Sequence, residues 1–142
     1  MKPGDNLVIC LSCGKSKRNR SAAAKDMYVS ALFTKMLAFA ESLHPKKIYI
    51  LSAKHGLLNL DDVIDPYEQS LKNVPKRARS LWAEDVVRKM RQEVDLDNDS
   101  FVFLAGMPYR ENLVRHIKKY SVPMEGLSFG RQLQWLTGQL RQ

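Results

Sequence analysis

The stretch "NLVICLS" at residues 6–12 is a short continuous apolar run, which is typical of a β-strand covered on both of its faces. Two further runs have the same character, "KKIYILSA" at 46–53 and "FVFLAG" at 101–106. Segments with apolar residues at helical spacing separate the three runs, so buried strands alternate with helices. This alternation predicts an α/β fold with three layers, in which a mostly parallel central sheet has helices on both faces.

Apolar residues at helical spacing predict four helices: residues 26–43, 75–94, 108–120 and 131–142. Asp26 can cap the first of these helices, and Pro75 and Pro108 can open the second and third. Two other segments lack such a pattern. Residues 54–73 are predicted to be irregular, and residues 123–130 are predicted to form either a short fourth strand or a loop.

The length and the apolar pattern indicate one domain that does not enter a membrane. A chain of 142 residues can build one core, and no linker or repeat divides it. No apolar run approaches the roughly 20 residues that span a bilayer. Residues 1–17 lack the pattern of a signal peptide. The sequence therefore predicts a single domain at 1–142, located in the cytoplasm.

The charge of the chain favours an anionic partner. Its formal net charge is +8 and its pI is about 9.6. The cations concentrate in three blocks: "KSKRNR" at 15–20, "KRAR" at 76–79 and "RENLVRHIKKY" at 110–120. An excess of this size in a small domain favours a nucleic acid or a nucleotide as the partner, and a merely soluble basic surface is the alternative.

The two cysteines, Cys10 and Cys13, have the C-x-x-C spacing of a redox pair or of half a zinc site. A structural zinc site needs four ligands, and the three histidines of the chain do not form an H-x3-5-H pair. A redox pair is expected at the start of a helix, whereas Cys10 lies inside an apolar strand. We therefore predict no metal and no cofactor, with Cys10 buried as a small hydrophobe and Cys13 at a strand end.

A polar, glycine-bearing segment follows each predicted strand: "SCGKSK" at 12–17, "SAKHG" at 52–56 and "AGMPYR" at 105–110. In sheets of this type, ligands bind beyond the carboxyl ends of the strands, so these segments are expected to converge at one edge. The first segment is not a G-x-x-x-x-G-K-[ST] loop. Its backbone N–H groups, with Lys15 and Lys17, can nevertheless hold a phosphate.

Tyr109, Arg110 and Gln132 are further candidates for binding a substrate. Tyr109 and Arg110 lie in the first turn of a predicted helix, where free N–H groups favour an anion and an arginine adds its planar fork. Gln132 lies near the start of the terminal helix and can read a base edge or an amide. The alternative is that Tyr109 packs in the core while Arg110 pairs with a surface acid.

The stretch "ILSAKHGLLNLDDVIDPYE" at residues 50–68 holds the strongest candidate set. His55 lies just beyond a strand end and precedes a glycine that permits a tight turn. Asp65 precedes Pro66, which favours an extended backbone, and Tyr67 follows. Such a rigid Asp-Pro-Tyr unit can aim side chains into a pocket. We predict His55, Asp65 and Tyr67 as catalytic residues, and the alternative for His55 is a structural histidine.

Six segments, in order, resemble the pattern of a small uncharacterised domain family common in bacteria, archaea and phages: "CGKSK", "DMYVSALFTK", "ILSAKHGLL", "IDPYE", "LAGMPYRENL" and "GRQLQWL". This resemblance covers nearly the whole chain and implies no particular activity. His55 belongs to the pattern of this small family alone.

A more distant resemblance reaches two other groups of proteins. The chain is similar to the YaaA family of peroxide-stress proteins, which are associated with DNA binding, through Ser52, Gly56, Asp62, Ile64, Pro66 and Tyr67. A looser similarity is to a domain of archaeosine synthases. These resemblances imply nucleobase or nucleic-acid chemistry on a fold like that of uracil-DNA glycosylases. They also add Ser52 to the candidate binding residues.

The first functional hypothesis is an enzyme that acts on a nucleic acid or nucleotide and cleaves or exchanges an N-glycosidic bond. Asp65 or Asp62 would activate water or stabilise an oxocarbenium-like centre. His55 would hydrogen-bond the leaving base, and Tyr67 or Tyr109 would stack on it. Three cationic side chains would hold the phosphates: Lys15, Lys17 and Arg110.

Two hypotheses from other classes use the same residues without catalysis. A DNA-binding or RNA-binding module in stress or phage biology would show steeply salt-dependent binding that survives loss of His55 or Asp65. A nucleotide sensor would bind mononucleotides and have no affinity for polymers. The sequence leaves these alternatives open.

Overall fold

The computed structural model describes residues 4–142. Residues 1–3 belong to the segment 1–17, for which no signal peptide is predicted, and they lie outside the described residues. The strands of the described part are β1 Leu7–Ser12, β2 Ala22–Ala23, β3 Lys47–Ser52, β4 Gly56–Asn59, β5 Val63–Ile64, β6 Ser100–Leu104 and β7 Lys119–Ser121. Its α-helices are α1 Ala24–Met27, α2 Ala31–Ser42, α3 Lys76–Arg91, α4 Met107–Arg110 and α5 Phe129–Leu140. Between residues 4 and 142, no helix is both long and apolar enough to cross a membrane.

A five-stranded sheet in the order β4-β3-β1-β6-β7 forms the centre of the fold. β1 lies in the middle, where Ile9 pairs in parallel with Ile48 of β3 and with Val102 of β6. β7 is also parallel, whereas β4 runs antiparallel to β3 at the edge. The short β2 and β5 form a separate antiparallel ribbon. The prediction of an α/β fold with a mostly parallel sheet is therefore confirmed.

Alternate residues of β1 enter two hydrophobic cores on opposite faces of the sheet. Val8 and Cys10 pack in the core that α3 covers, whereas Ile9 and Leu11 pack in the core beneath α2 and α5. A strand covered on both faces must be apolar at every position, which explains the unbroken run in the sequence. The predicted three-layer arrangement and the predicted burial of Cys10 are both confirmed.

The first predicted helix is wrong at its start. Asp26 lies inside the short α1, and Ser30 caps α2 by accepting a hydrogen bond from the Phe33 N–H at 3.2 Å. The chain is extended between the two helices because Tyr28 forms a β-bridge with Lys17. This tertiary pairing interrupts the helical pattern at a position where the local sequence does not require a break.

The prediction of an irregular segment at 54–73 is also wrong, because β4 and β5 lie within it. Gly56 has φ +71°, a left-handed conformation that glycine adopts without steric penalty. The chain therefore reverses directly after β3, and Ser52 pairs with Gly56 at the start of an antiparallel hairpin. The hairpin holds His55 in its turn.

The helix predicted at 108–120 ends after α4, at Arg110. A 3-10 turn at Val114–His116 follows, and then β7 extends the sheet by pairing Lys119 with Ser100 of β6. Parallel pairing at the edge of the sheet overrides the local helical propensity here. Residues 123–130 form no strand before α5 begins, so the loop alternative is confirmed for that segment.

The strand order places a topological switch point between β1 and β6. From β1 the chain passes through α2 to β3 on one side, and from β3 it passes through α3 to β6 on the other side. The two connections cover opposite faces of the sheet. In open α/β sheets, such a reversal opens a crevice at the carboxyl ends of the two central strands, and ligands bind there.

Candidate functional site

The three segments predicted to converge do lie at one edge of the sheet. Ser12, at the end of β1, pairs with Leu51, and Leu11 pairs with Leu104 at the end of β6. The carboxyl ends of the three adjacent parallel strands are therefore level, and the loops that follow them meet. The convergence inferred from the sequence is confirmed.

A buried hydrogen-bond network lies beyond the end of β3. The Ser52 hydroxyl donates to the Tyr67 hydroxyl at 2.8 Å, and the Tyr67 and Tyr28 hydroxyl oxygens lie 2.5 Å apart. The Ser52 oxygen also accepts a hydrogen bond from the His55 backbone N–H at 3.0 Å, which ties the turn of the hairpin to the network. We call Ser52, Tyr67, Tyr28 and His55 the tyrosine network.

His55 presents an unsatisfied polar atom within this network. Its ring meets the Tyr67 ring edge-on, with the ring centroids 5.3 Å apart. Its Nε2 atom is buried and has no hydrogen-bond partner among the described residues. An unpaired buried polar atom costs about 1–3 kcal/mol, and a ligand that hydrogen-bonds to Nε2 would remove this cost.

Burial keeps the tyrosines of the site protonated. Desolvation raises the pKa of Tyr28 to about 12, against a usual value near 10. Desolvation likewise raises the pKa of Tyr67 above its usual value, and the nearby Cys13 thiol acts in the same direction. Both hydroxyls therefore stay neutral well into the alkaline range and can donate as well as accept hydrogen bonds.

The basic loop after β1 carries Lys17 over the network. Backbone hydrogen bonds from Arg18 to Met27 and from Val29 to Ser16, each of 2.9 Å, hold the loop against the segment around Tyr28. The Lys17 ammonium lies 4.6 Å from the centroid of the Tyr67 ring, within the range of a cation–π contact. The loop therefore places a positive charge beside a buried polar cluster.

Tyr109 lies on the other side of the β1 end, toward the core beneath α3. Its hydroxyl accepts hydrogen bonds from the Cys13 thiol at 3.5 Å and from the Leu71 N–H at 3.4 Å. Trp82 packs edge-on against the Tyr109 ring and donates its indole N–H to the Ser52 carbonyl at 2.8 Å. The alternative that Tyr109 packs in the core is therefore confirmed.

The predicted stacking of a base on Tyr67 or Tyr109 does not fit the structure. The two residues are only 6% and 8% exposed. Lys17 and His55 already contact the Tyr67 ring, and Trp82 contacts the Tyr109 ring. Their hydroxyl groups are hydrogen-bonded within the protein as well.

The structure does not bring Asp65 or Lys15 into the tyrosine network. Asp65 is exposed and accepts a hydrogen bond from the Ser21 hydroxyl. Asp62 is exposed as well and accepts a hydrogen bond from the Asn59 N–H at 2.8 Å within a turn. Lys15 is exposed on the basic loop. The rigid Asp-Pro-Tyr unit thus buries its tyrosine and leaves its carboxylate at the surface.

Arg110 and Gln132 line a separate cavity of about 280 Å³ at the switch point, where Ser12 ends β1 and Ala105 follows the last residue of β6. Arg110 is 9% exposed and donates to the Ala105 carbonyl at 2.8 Å and to Glu125 at 3.4 Å. The alternative that Arg110 pairs with a surface acid is therefore confirmed. The candidate site thus has two parts on either side of the β1 end.

Tyr28, Cys13 and Trp82 belong to the site and were not among the predicted site residues. Tyr28 lies within "DMYVSALFTK", one of the segments that carry the resemblance, and this was the available signal. Cys13 was predicted to be a strand-end residue, which it is. Trp82 lies within the helix predicted at 75–94, and its indole hydrogen bond depends on a tertiary contact that helical spacing does not indicate.

The sequence model of one family matches the chain over residues 8–138, and its description is a family of unknown function, DUF6884. Comparisons with curated proteins and with solved structures gave no match.

Proposed function

Because the chain belongs to DUF6884, a family whose function is unknown, we propose a function from the site: the protein binds a nucleic acid or nucleotide and acts on the N-glycosidic bond of a nucleobase. One observation carries this proposal. Lys17 holds a positive charge beside the buried tyrosine network, in which the His55 Nε2 atom has no partner among the described residues. A phosphate and a base are the two parts of a nucleotide that such a pair of groups can contact.

The basic residues of the loops around this edge support a polyanionic ligand. The loop after β1 contributes the half-buried Lys17 and the exposed Lys15, Arg18 and Arg20, and Lys54 lies exposed beside His55 in the hairpin turn. Lys76 and Arg77 begin α3, where the helix dipole disfavours positive charge. Cations at this end of the helix do not stabilise it, because they oppose the helix dipole. Their presence is explained if they bind an anionic ligand.

In the proposed reaction, the phosphates lie near Lys17 and the base lies near His55. His55 donates a hydrogen bond from Nε2 to the leaving base, which stabilises the negative charge that develops as the glycosidic bond breaks. Tyr67 stays neutral and, through its hydrogen bonds to Ser52 and Tyr28, keeps the site in position. Asp65 is the carboxylate predicted to activate the water that replaces the base on the sugar carbon, and this role would require Asp65 to move from its contact with Ser21.

That requirement favours a second candidate, a nucleic-acid-binding module without catalysis. Both predicted carboxylates, Asp62 and Asp65, are exposed and hydrogen-bonded elsewhere. Polymer binding needs only the basic loops and the helix start. The two candidates therefore share one binding surface. They differ in whether His55 and Asp65 are required for the protein's activity on its ligand.

One experiment separates the candidates. The purified protein is incubated with single-stranded DNA, tRNA and nucleosides, and both the binding and the release of free base are measured. The enzyme releases base, and His55→Ala abolishes release while binding persists. The module binds with steep salt dependence and releases nothing, and both His55→Ala and Asp65→Asn leave its affinity unchanged.

Two further outcomes complete the comparison. Charge reversal of Lys17 lowers the affinity for polymers in both candidates, so it tests the binding surface and not the chemistry. Tight binding of mononucleotides without any affinity for polymers would instead identify a nucleotide sensor. If neither polymers nor nucleotides bind, the proposed function is wrong.

A further inference from the structure

The cavity at the switch point lies where the fold itself favours a ligand. Ser12 of β1 and the Ala105–Gly106 pair after β6 form its base, and α2 and the start of α5 close it on one face of the sheet. Crevices at reversals of strand order are the usual ligand sites of open α/β sheets. The cavity is distinct from the tyrosine network, which lies toward the end of β3.

The size of the cavity and the methionines in its lining suit one flat ring system. Its volume of about 280 Å³ is slightly below that of pockets for drug-sized ligands. At about 30 Å³ for each water-sized group, it holds on the order of ten heavy atoms. Three methionine side chains line it: Met36, Met107 and Met124. Thioethers are polarisable, adapt their shape and pack favourably against aromatic rings.

The polar side chains of the cavity leave hydrogen-bonding capacity for a ligand. Arg110 uses Nη1 on the Ala105 carbonyl and Nη2 on Glu125. A guanidinium group has five N–H donors, so others can serve a ligand. The Glu125 side chain is 66% exposed and lies 3.4 Å away, so it compensates the buried charge of Arg110 weakly. An acceptor group on a ligand would complete that compensation.

Gln132 is held in a defined orientation at the same cavity. Its Nε2 atom donates to the Leu127 carbonyl at 2.9 Å, which identifies the amide nitrogen and directs the side chain along the cavity wall. The amide oxygen then serves as an acceptor for a ligand donor. Arg110 and Gln132 together offer several donors and one acceptor beside an apolar wall.

The geometry points to a subsite for a single nucleobase in this cavity, with guanine preferred over adenine. This inference rests on the proposed function and adds a second base site to it, which holds a nucleobase other than the one whose glycosidic bond lies near His55. The ring packs on the methionines, Arg110 donates to the adjacent O6 and N7 acceptors of guanine, and Gln132 accepts from an N–H donor of the base. Adenine places an amino group where guanine has O6, so Arg110 would meet a donor.

The test measures the binding of GMP, AMP and ribose 5-phosphate to the full chain by calorimetry. We expect GMP to bind at least about tenfold more tightly than AMP, as for one lost bidentate pair. Gln132→Leu is expected to lower the affinity for GMP several-fold and to leave that for ribose 5-phosphate unchanged. Gln134→Leu is the matched control, because Gln134 is exposed on the same helix and is not among the cavity-lining residues. It should bind GMP like the parent protein.

A second variant makes the test independent of Gln132. Met36→Trp fills the cavity and should abolish the difference between GMP and ribose 5-phosphate, and circular dichroism checks that each variant is folded. Equal affinities for all three probes, or GMP binding that the folded Gln132→Leu protein retains in full, would overturn the inference. In that case, salt-dependent binding of polymers would still support the proposed function. Absence of binding to every nucleotide and polymer would overturn both.

Discussion

The Lys17 ammonium lies over the Tyr67 ring, with Nζ 4.6 Å from the ring centroid. This contact joins the basic loop to a residue that is 6% exposed, so a surface charge is positioned by the core. A lysine held this way loses less conformational freedom when it binds a phosphate, because part of its ordering is already complete. The contact therefore links the fold to the proposed binding of an anion.

Lys17→Met is expected to weaken the binding of a short single-stranded oligonucleotide and to leave the protein folded. Methionine keeps an unbranched apolar stem over Tyr67 and removes the charge. Loss of one phosphate contact should reduce the slope of log affinity against log salt by about one, and loss of the cation–π contact should lower stability by about 0.5–1 kcal/mol. Fluorescence titrations at several salt concentrations measure the slope.

Lys118→Met is the control for that variant. Lys118 is exposed immediately before β7, at the amino edge of the sheet and away from the loops of the site. Lys118→Met removes one positive charge from the protein, as Lys17→Met does. If both variants reduce the salt slope equally, the anion is bound by the overall charge of the protein and not at the edge that Lys17 occupies.

Lys76→Glu is expected to stabilise the protein and to weaken nucleic-acid binding. Lys76 is the first residue of α3, and the first turn of this helix contains no acid. A carboxylate there complements the helix dipole and should add about 0.3–1 kcal/mol to the free energy of unfolding. Urea unfolding measures the gain, and oligonucleotide titration measures the loss of affinity.

A substitution at the opposite end of α3 is the control for Lys76→Glu. Arg91 is the last residue of α3, where the dipole favours a cation. Arg91→Glu should lower stability, and because Arg91 lies away from the start of the helix it should affect binding less than Lys76→Glu does. If Lys76→Glu raises stability and leaves affinity unchanged, the basic start of α3 does not contact the ligand.

Tyr67→Phe is expected to lower the free energy of unfolding by about 1–2 kcal/mol. The substitution removes the hydroxyl that accepts from Ser52 and contacts Tyr28, and Ser52 is fully buried. A buried hydroxyl left without its partner loses roughly this amount. Tyr120→Phe is the matched control at a residue that is 48% exposed, and it should change stability by less than about 0.5 kcal/mol. Urea unfolding of both variants gives the comparison, and equal losses would mean that the network does not stabilise the fold.

Stability is expected to fall as the pH rises from about 10 to about 12. Burial raises the pKa of Tyr28 and of Tyr109 to about 12, whereas both titrate near 10 in the unfolded chain. In this interval the unfolded chain has released protons that the folded protein still holds, so proton release drives unfolding. Below pH 10 this contribution to stability is complete. Urea midpoints across the interval measure the decline, and Tyr28→Phe should make it shallower.

The sequence predicted the sheet because its central strands are covered on both faces. The run around Ile9 is apolar at every position, and such a run has few alternatives to a buried strand. The order of helices and strands then restricted the topology, and with it the edge at which the loops meet. The location of the site followed from the order of the elements, before any side chain was placed.

The details that the sequence did not predict depend on contacts between distant residues. Tyr28 is extended because it pairs with Lys17, and β7 forms because it adds to the edge of β6. Tyr67 lies in the core, where it accepts a hydrogen bond from Ser52. Asp65 lies at the surface, where it accepts one from Ser21. Neighbours in sequence were expected to face one pocket, and tertiary hydrogen bonding sends them to different environments.

His55→Phe is expected to separate stability from function. The His55 Nε2 atom is buried without a partner among the described residues, and phenylalanine removes that atom while keeping a ring beside Tyr67. The hydrogen bond from the backbone N–H to Ser52 does not depend on the side chain. Relief of an unsatisfied polar atom should therefore leave the free energy of unfolding unchanged or raise it by up to about 1 kcal/mol, as urea unfolding can measure.

The same variant should lose the release of free base, because a phenyl ring cannot donate a hydrogen bond to a leaving group. His116→Phe serves as the control, since His116 is exposed in the 3-10 turn before β7 and should affect neither measurement. A His55→Phe protein that unfolds more easily by over about 1 kcal/mol and still acts on its ligand would make His55 a structural residue. If His55 is a functional residue, the variant should keep its stability and lose its activity. Functional sites tolerate unsatisfied polar groups at a cost in stability.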